Sequence, residues 1–203
     1  MENYDYERVY SNSNEYYWGV NRSEMCLKIL ALMPPDRNLK VLDIGCGEGK
    51  DAVFLAQCGY NVSAFDISDA GVEKAKLLAE KSHVEINVFK ANIWDFRLDD
   101  GYDILYSSGV LHYIKPELRG DIINNYQDHT NKGGLNVFNV FVDKPFIGPP
   151  PENEEHSYFW HSGQILTYYK DWFVEDFSEF IFDCNSSGIA HKHAMNAIFA
   201  RKV

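Results

Sequence analysis

The chain lacks a basic surplus. Its 19 Lys+Arg are outnumbered by 30 Asp+Glu, a formal charge of −11 with the histidines neutral. Nucleic-acid affinity is built on Lys and Arg neutralising phosphates, so this balance argues against a nucleic-acid partner and against a polybasic membrane-surface protein. Long hydrophobic runs are missing as well. No stretch approaches the ~20 apolar residues of a membrane-spanning helix. The polar, acidic start, Met1 to Tyr10, lacks the charged-then-apolar layout of a signal peptide. Cysteine is scarce: Cys26, Cys46, Cys58 and Cys184 form no C-x-x-C pair and no zinc-type spacing. Reduced thiols, a cytoplasmic location and no metal are the expectations. No internal repeat is visible. What is present is 45% hydrophobic and 15% aromatic residues in 203. That is enough for a core without staples, and predicts a single domain over 1–203.

Short apolar runs alternate with helical stretches. After a Tyr/Asn/Ser-rich start ending in Tyr16-Tyr17-Trp18-Gly19, Ser23 opens a helix that Pro34-Pro35 stop, so residues 1–35 read as an N-terminal cap segment. Strands are predicted at 40–44, 61–67, 85–90, 102–107 and 135–142, with helices at 51–57, 69–81 and 117–130 between them. This alternation means βαβ units, a parallel sheet and helices on both faces. Four of the seven prolines then fall within 145–151. Residues 143–161, carrying Phe146, Tyr158, Phe159 and Trp160, are expected to form a lid-like loop. Ser162 reads as the N-cap of a helix to about Lys170. Residues 173–183 and 190–201 read as two strands around Asn185-Ser186-Ser187-Gly188, and so close that they must pair antiparallel.

The strongest signal is Val41-Leu42-Asp43-Ile44-Gly45-Cys46-Gly47-Glu48-Gly49, a glycine loop between a strand and a helix. Such loops let backbone approach a ligand at the carboxyl ends of strands. A phosphate-binding P-loop would need G-x-x-x-x-G-K-[ST]; Gly49-Lys50 is preceded five back by Ile44 and followed by Asp51. The dinucleotide pattern G-x-G-x-x-G fails at Lys50, and Glu48 would repel pyrophosphate. Asp43, two residues before the first glycine, suits a cationic ammonium. Asp66 ends the next strand, where a carboxylate would hold a ribose diol. The ligand these features describe is a nucleoside with a positively charged, phosphate-free tail, and S-adenosylmethionine fits.

With D-x-G-x-G-x-G and Asp66 in place, residues 39–142 resemble a class I S-adenosylmethionine-dependent methyltransferase. The resemblance implies an α/β, Rossmann-like, doubly wound seven-stranded sheet in order 3-2-1-4-5-7-6, strand 7 antiparallel. It also implies roles. The Gly45-Cys46-Gly47 backbone would hold the methionine portion, Asp66 and Ile67 the ribose, and Asn92-Ile93 the adenine. Many members carry Asp where this chain has Asn92, whose carbonyl can still accept from the adenine amine. Ser108 would lie near the sulfonium. The segments at 45–56, 59–66, 164–172 and 197–202 resemble the tellurite-resistance methyltransferase group. Tyr17-Trp18-Gly19 resembles an N-terminal element that folds over the cofactor, which brings in Trp18. Arg22 could meet the cofactor carboxylate. That group implies a compact acceptor such as a tellurite- or selenite-like oxyanion, or a thiol.

The acceptor side is less legible. Methyl transfer requires alignment and water exclusion, and a base only if the attacking atom carries a proton. His112 and Tyr113 follow the fourth strand, and His193 shares a strand face with His191. These are the candidate catalytic residues. The His-x-His pair shows no third ligand spacing. A small-molecule acceptor is expected, with a monomer or homodimer. The alternative is a non-catalytic module that keeps the cofactor fold, distinguished by a filled rather than open cleft beside 108–113. The nucleic-acid methylation motifs N-P-P-[FY] and D-P-P-[YW] are lacking, and so is the Pro-Cys pair of C5 chemistry.

Overall fold

A computed structural model describes residues 6–150, 157–185 and 188–203. The order along the chain is α1 (Tyr6–Ser11), α2 (Glu24–Leu32), β1 (Lys40–Ile44), α3 (Lys50–Gln57), β2 (Asn61–Asp66), α4 (Asp69–Lys81), β3 (Asn87–Lys90) and β4 (Tyr102–Ser107). Then follow α5 (Arg119–Asp128), β5 (Thr130–Val142), β6 (Phe173–Cys184) and β7 (His191–Arg201). The strands form one sheet in the order β3-β2-β1-β4-β5-β7-β6. β1 is parallel to β2 and β4, and β7 is antiparallel to β5 and β6. This is the expected topology.

Alternation along the central strands sends side chains to two cores. Leu42, Ile44, Leu105 and Phe138 join one; Val41, Ile104, Tyr106 and Val137 join the other. Burial on both faces is why these strands read as continuous apolar runs. Helix α2 ends at Leu32 just ahead of Pro34-Pro35. Ser68 caps α4, its Oγ accepting from Gly71 N at 3.0 Å.

Several local expectations are corrected. The first residues were not read as helical, yet Tyr6–Ser11 forms α1. Pro116 makes Pro116–Leu118 a 3-10 turn, so α5 starts only at Arg119. β5 begins at Thr130, because Tyr102 pairs with Thr130 before a register shift to Ile104–Leu135. The helix expected after Ser162 is a 3-10 turn, Gln164–Tyr168, entered through Gly163 at φ +73°; the Ser162 hydroxyl instead donates to Glu179. In the proline-rich loop, residues 151–156 lie outside the described residues, as do Ser186 and Ser187 of the expected turn. The described end of that loop is anchored: Trp160 is fully buried and bridges to Val142.

Candidate active site

The glycine loop leaves β1 and enters α3 through residues no other amino acid would replace easily. Gly45 and Gly49 have φ of +70° and +84°. A Cβ on Gly45 would lie 2.6 Å from Val110, and one on Gly49 2.6 Å from Ala75. Backbone is therefore the surface the loop presents. Asp66, at the end of β2, holds it in place: Oδ2 accepts from Gly47 N at 2.8 Å and Oδ1 from Ser68 N at 2.9 Å. Burial raises the Asp66 pKa against these hydrogen bonds. Asp43 is raised much further, first by burial and then by the charge of Asp51. Asp51 is itself buried, but Lys50 and Ser23 outweigh desolvation and hold its pKa below the ordinary value. Its Oδ2 accepts from Ser23 Oγ at 2.6 Å, Tyr106 Oη at 2.8 Å and Lys50 Nζ at 2.8 Å.

Glu48 lines the cavity with its charge met from behind. It is buried and paired with Lys74 at 2.7 Å, and accepts from Trp18 N at 3.3 Å. Its work is to tie the N-terminal segment and α4 to the loop. Helix α1 completes that closure. Glu7 Oε2 accepts from Ser68 Oγ at 2.7 Å and Ala70 N at 3.1 Å, and Tyr10 Oη accepts from Trp18 Nε1 at 3.1 Å.

Beneath this segment lies a cavity of about 300 Å³. It joins Asp43, Gly45, Cys46, Gly47, Asp66 and Ile67 at one end to His112, Tyr113 and His193 at the other, with Trp18 and Ser108 also on its wall. Three expected site residues do not line it. Arg22 pairs with Glu24 at 3.0 Å and lies over Phe54. Asn92 Oδ1 accepts from Trp94 N at 3.0 Å, and Ile93 is buried in a core.

The acceptor end is built from aromatics. His112 packs 4.1 Å from Tyr113 and 4.5 Å from Phe141, ring to ring. Burial, with the nearby His193 and Arg119 adding to it, pushes the His112 pKa down to about 3. Burial thus favours the neutral imidazole, with one N–H donor and one acceptor nitrogen. Tyr6 Oη and Tyr113 Oη are 2.9 Å apart, so α1 reaches this end too.

Two positioning residues were missed. Asn139 of β5 donates to Ser108 Oγ at 3.1 Å and accepts from Gly109 N at 2.6 Å, shaping the turn after β4. Arg119 donates to the carbonyls of Ile114 and Tyr158 and lies 4.1 Å over Trp160. Asn139 and Asn136 are the two polar residues in the predicted strand 135–142, and that is the signal that marked the first.

Fold and loop together define a structural class: the fold is that of the class I S-adenosylmethionine-dependent methyltransferases. More narrowly, a family model described as tellurite resistance protein TehB matches residues 12–193, and the chain belongs to that family. Among curated proteins it is similar to a probable S-adenosyl-L-methionine-dependent methyltransferase TehB of Haemophilus influenzae. The two are 29% identical over 140 residues, covering 69% of this chain and 48% of the relative. A ubiquinone biosynthesis O-methyltransferase of Rickettsia typhi is 27% identical over 150 residues, covering 68% and 60%. The chain thus spans about half the length of the curated TehB relatives it matches. In structure it is similar to Haemophilus influenzae TehB, with a TM-score of 0.79 at 24% identity, covering 98% of this chain and 67% of the other. It is also similar to the N-methyltransferase NodS of Bradyrhizobium japonicum, solved with S-adenosyl-L-homocysteine, with a TM-score of 0.73 at 16% identity, covering 98% and 97%.

Proposed function

We propose that this protein is an S-adenosylmethionine-dependent methyltransferase acting on a compact, anionic small molecule: a tellurite- or selenite-like oxyanion, or a thiol. The observation that carries the reading is the continuous cavity between the glycine loop and His112–Tyr113. A non-catalytic module would have no use for an open acceptor end.

The residues present suit the cofactor. The loop is a backbone cradle that a Cβ at Gly45 would fill. The buried carboxyls Asp43 and Asp66 face the cavity, which suits an ammonium and a ribose diol and disfavours a pyrophosphate. Gly45, Cys46 and Gly47 would hold the methionine portion, and Ile67 and Trp18 would cover the nucleoside. Ser108 would face the sulfonium, held by Asn139. Asn92, Ile93 and Arg22 do not line the cavity and are carried only by the family resemblance, as proposed contacts to the adenine and the carboxylate. When bound, the cofactor supplies a methyl group activated by its sulfonium. This chain's own part is to align the acceptor and keep water out. Neutral His112 can orient the acceptor by a hydrogen bond, and Tyr113 and His193 can do the same. An oxyanion or a thiolate arrives with its attacking lone pair ready, so alignment by His112, Tyr113 and His193 would suffice without a base.

No helix of the described residues is long and apolar enough to cross a membrane. We place its work in the cytoplasm, as a monomer or homodimer, and on small molecules rather than nucleic acid; the net charge of −11 supports the last of these. The test is turnover: incubation with labelled S-adenosylmethionine and a panel of selenite, tellurite and small thiols. Release of a methylated product supports the reading. Cofactor binding with no transfer to any anionic acceptor contradicts it.

A further inference from the structure

The β6–β7 hairpin does something the spacing of its histidines does not announce. Cys184 pairs with His191 across the antiparallel register, and His193 lies two residues along the same face. A third donor therefore joins the His-x-His pair from the neighbouring strand. The ligand atoms of Cys184, His191 and His193 all lie within 4.8 Å of one another. His191 Nδ1 is 2.7 Å from the carbonyl oxygen of Ile189. A carbonyl only accepts, so Nδ1 carries the proton and Nε2 is left with its lone pair. That Nε2 accepts a hydrogen bond from His193 Nε2 at 2.8 Å, so the two imidazoles already meet edge to edge, and a cation bound there would take the place of the shared proton. Phe141 and Phe182 pack on the His193 ring at 4.7 and 5.6 Å between centroids and hold its orientation.

We propose that Cys184, His191 and His193 form a three-ligand site for a borderline-soft divalent cation of the zinc class, open toward the cavity. One thiolate and two imidazoles are donors that zinc prefers and that calcium or magnesium, which take oxygens, do not. Tetrahedral zinc at its usual bond lengths sets ligand atoms about 3.3–3.6 Å apart. The two imidazole nitrogens, at 2.8 Å, are closer than that and the three ligand atoms lie within 4.8 Å of one another, so side-chain rotations would close the site around an ion. The His191 Nδ1 contact is the kind of outer hydrogen bond that orients metal-bound imidazoles. Lys192 points to the opposite face and is paired with Asp183 at 2.6 Å, so its charge is met there. Three protein ligands leave a fourth position for a small molecule. Cys184 and His193 both line the cavity, so that position faces the same space as the glycine loop. Its use to hold a thiol or other soft anion rests on the methyl-transfer reading; the metal site does not.

The test uses the full chain without an affinity tag, stripped with a chelator and titrated with Zn²⁺ against a chromophoric competitor. One equivalent should bind with a Kd of about 1 µM or tighter. Cys184→Ser and His191→Ala should each weaken it by about 100-fold. The Co²⁺ form should show a thiolate-to-cobalt absorption that Cys184→Ser abolishes and Cys58→Ser retains. Binding that survives Cys184→Ser unchanged, or Zn²⁺ affinity weaker than about 100 µM in the parent chain, would overturn the proposal. Titration of His191→Ala with S-adenosylhomocysteine keeps the two readings apart: cofactor binding within about two-fold of the parent, with zinc binding lost, separates the metal site from the cofactor site.

Discussion

Asp66 is a structural tether before it meets any ligand, because both of its oxygens accept backbone N–H groups at the mouth of the glycine loop. Asp66→Ala should weaken S-adenosylhomocysteine binding by roughly 1–3 kcal/mol, since a charged acceptor is lost and the loop loses its anchor. Isothermal titration reads this directly, and an unchanged affinity would contradict the role. Asp43 makes a different prediction. Its pKa is raised by burial and the neighbouring Asp51 charge, and a bound ammonium favours its ionised form. Affinity for S-adenosylhomocysteine should fall as pH drops through that raised pKa and level off above it. Asp43→Asn should flatten the profile. A profile as steep in the variant as in the parent would place the ammonium elsewhere. At this scale the cofactor half of the site was legible, because glycines and strand-end acids have few other reasons to occur together. Arg22 pairs with Glu24 and lies over Phe54, a placement that could not be read in advance because a sequence does not say which way a side chain leaves a helix start. Asn92 and Ile93 follow β3, but there a turn bond to Trp94 and a core contact take them off the cavity.

Elements, not single side chains, close the acceptor end. Residues 157–160 are held by Arg119 and by the burial of Trp160, so this end of the proline-rich segment is part of the wall. Trp160→Ala should cost about 3–5 kcal/mol of stability in denaturant melts, the range for removing a fully buried aromatic. A loss below about 1 kcal/mol would mean the segment is a detachable flap. The strands and most helices were legible from periodicity. Helix α1 was not: it is six residues long, and its helicity comes from tertiary partners, with Glu7 on the start of α4 and Tyr10 against the glycine loop. The third ligand of the hairpin cluster was hidden for a related reason. Cys184 reaches His191 through strand pairing, and no linear spacing encodes that register.

At the scale of the whole molecule, buried carboxyls of opposite tendency trade stability against binding. Asp51 has a lowered pKa, so its contribution is fully present above the unfolded-state value and is lost as pH falls through the folded one. Asp43 and Asp66 have raised pKa values. Their protonated forms favour the fold, and that advantage disappears as pH rises through the raised values. Urea melts should therefore show Asp51→Asn destabilised at pH 7, with the deficit shrinking on acidification. Asp43→Asn should be more stable than the parent at pH 7, although it binds the cofactor less well. A destabilised Asp43→Asn at neutral pH would contradict this division.

The cleft beside Gly45 and Asp66 is proposed as the site for S-adenosylmethionine. The most direct check is calorimetric titration of the purified chain with S-adenosylhomocysteine, with NAD as the control. Binding at micromolar affinity or better is expected for the first and none for NAD. A folded protein that ignores S-adenosylhomocysteine, or binds NAD equally well, would contradict it.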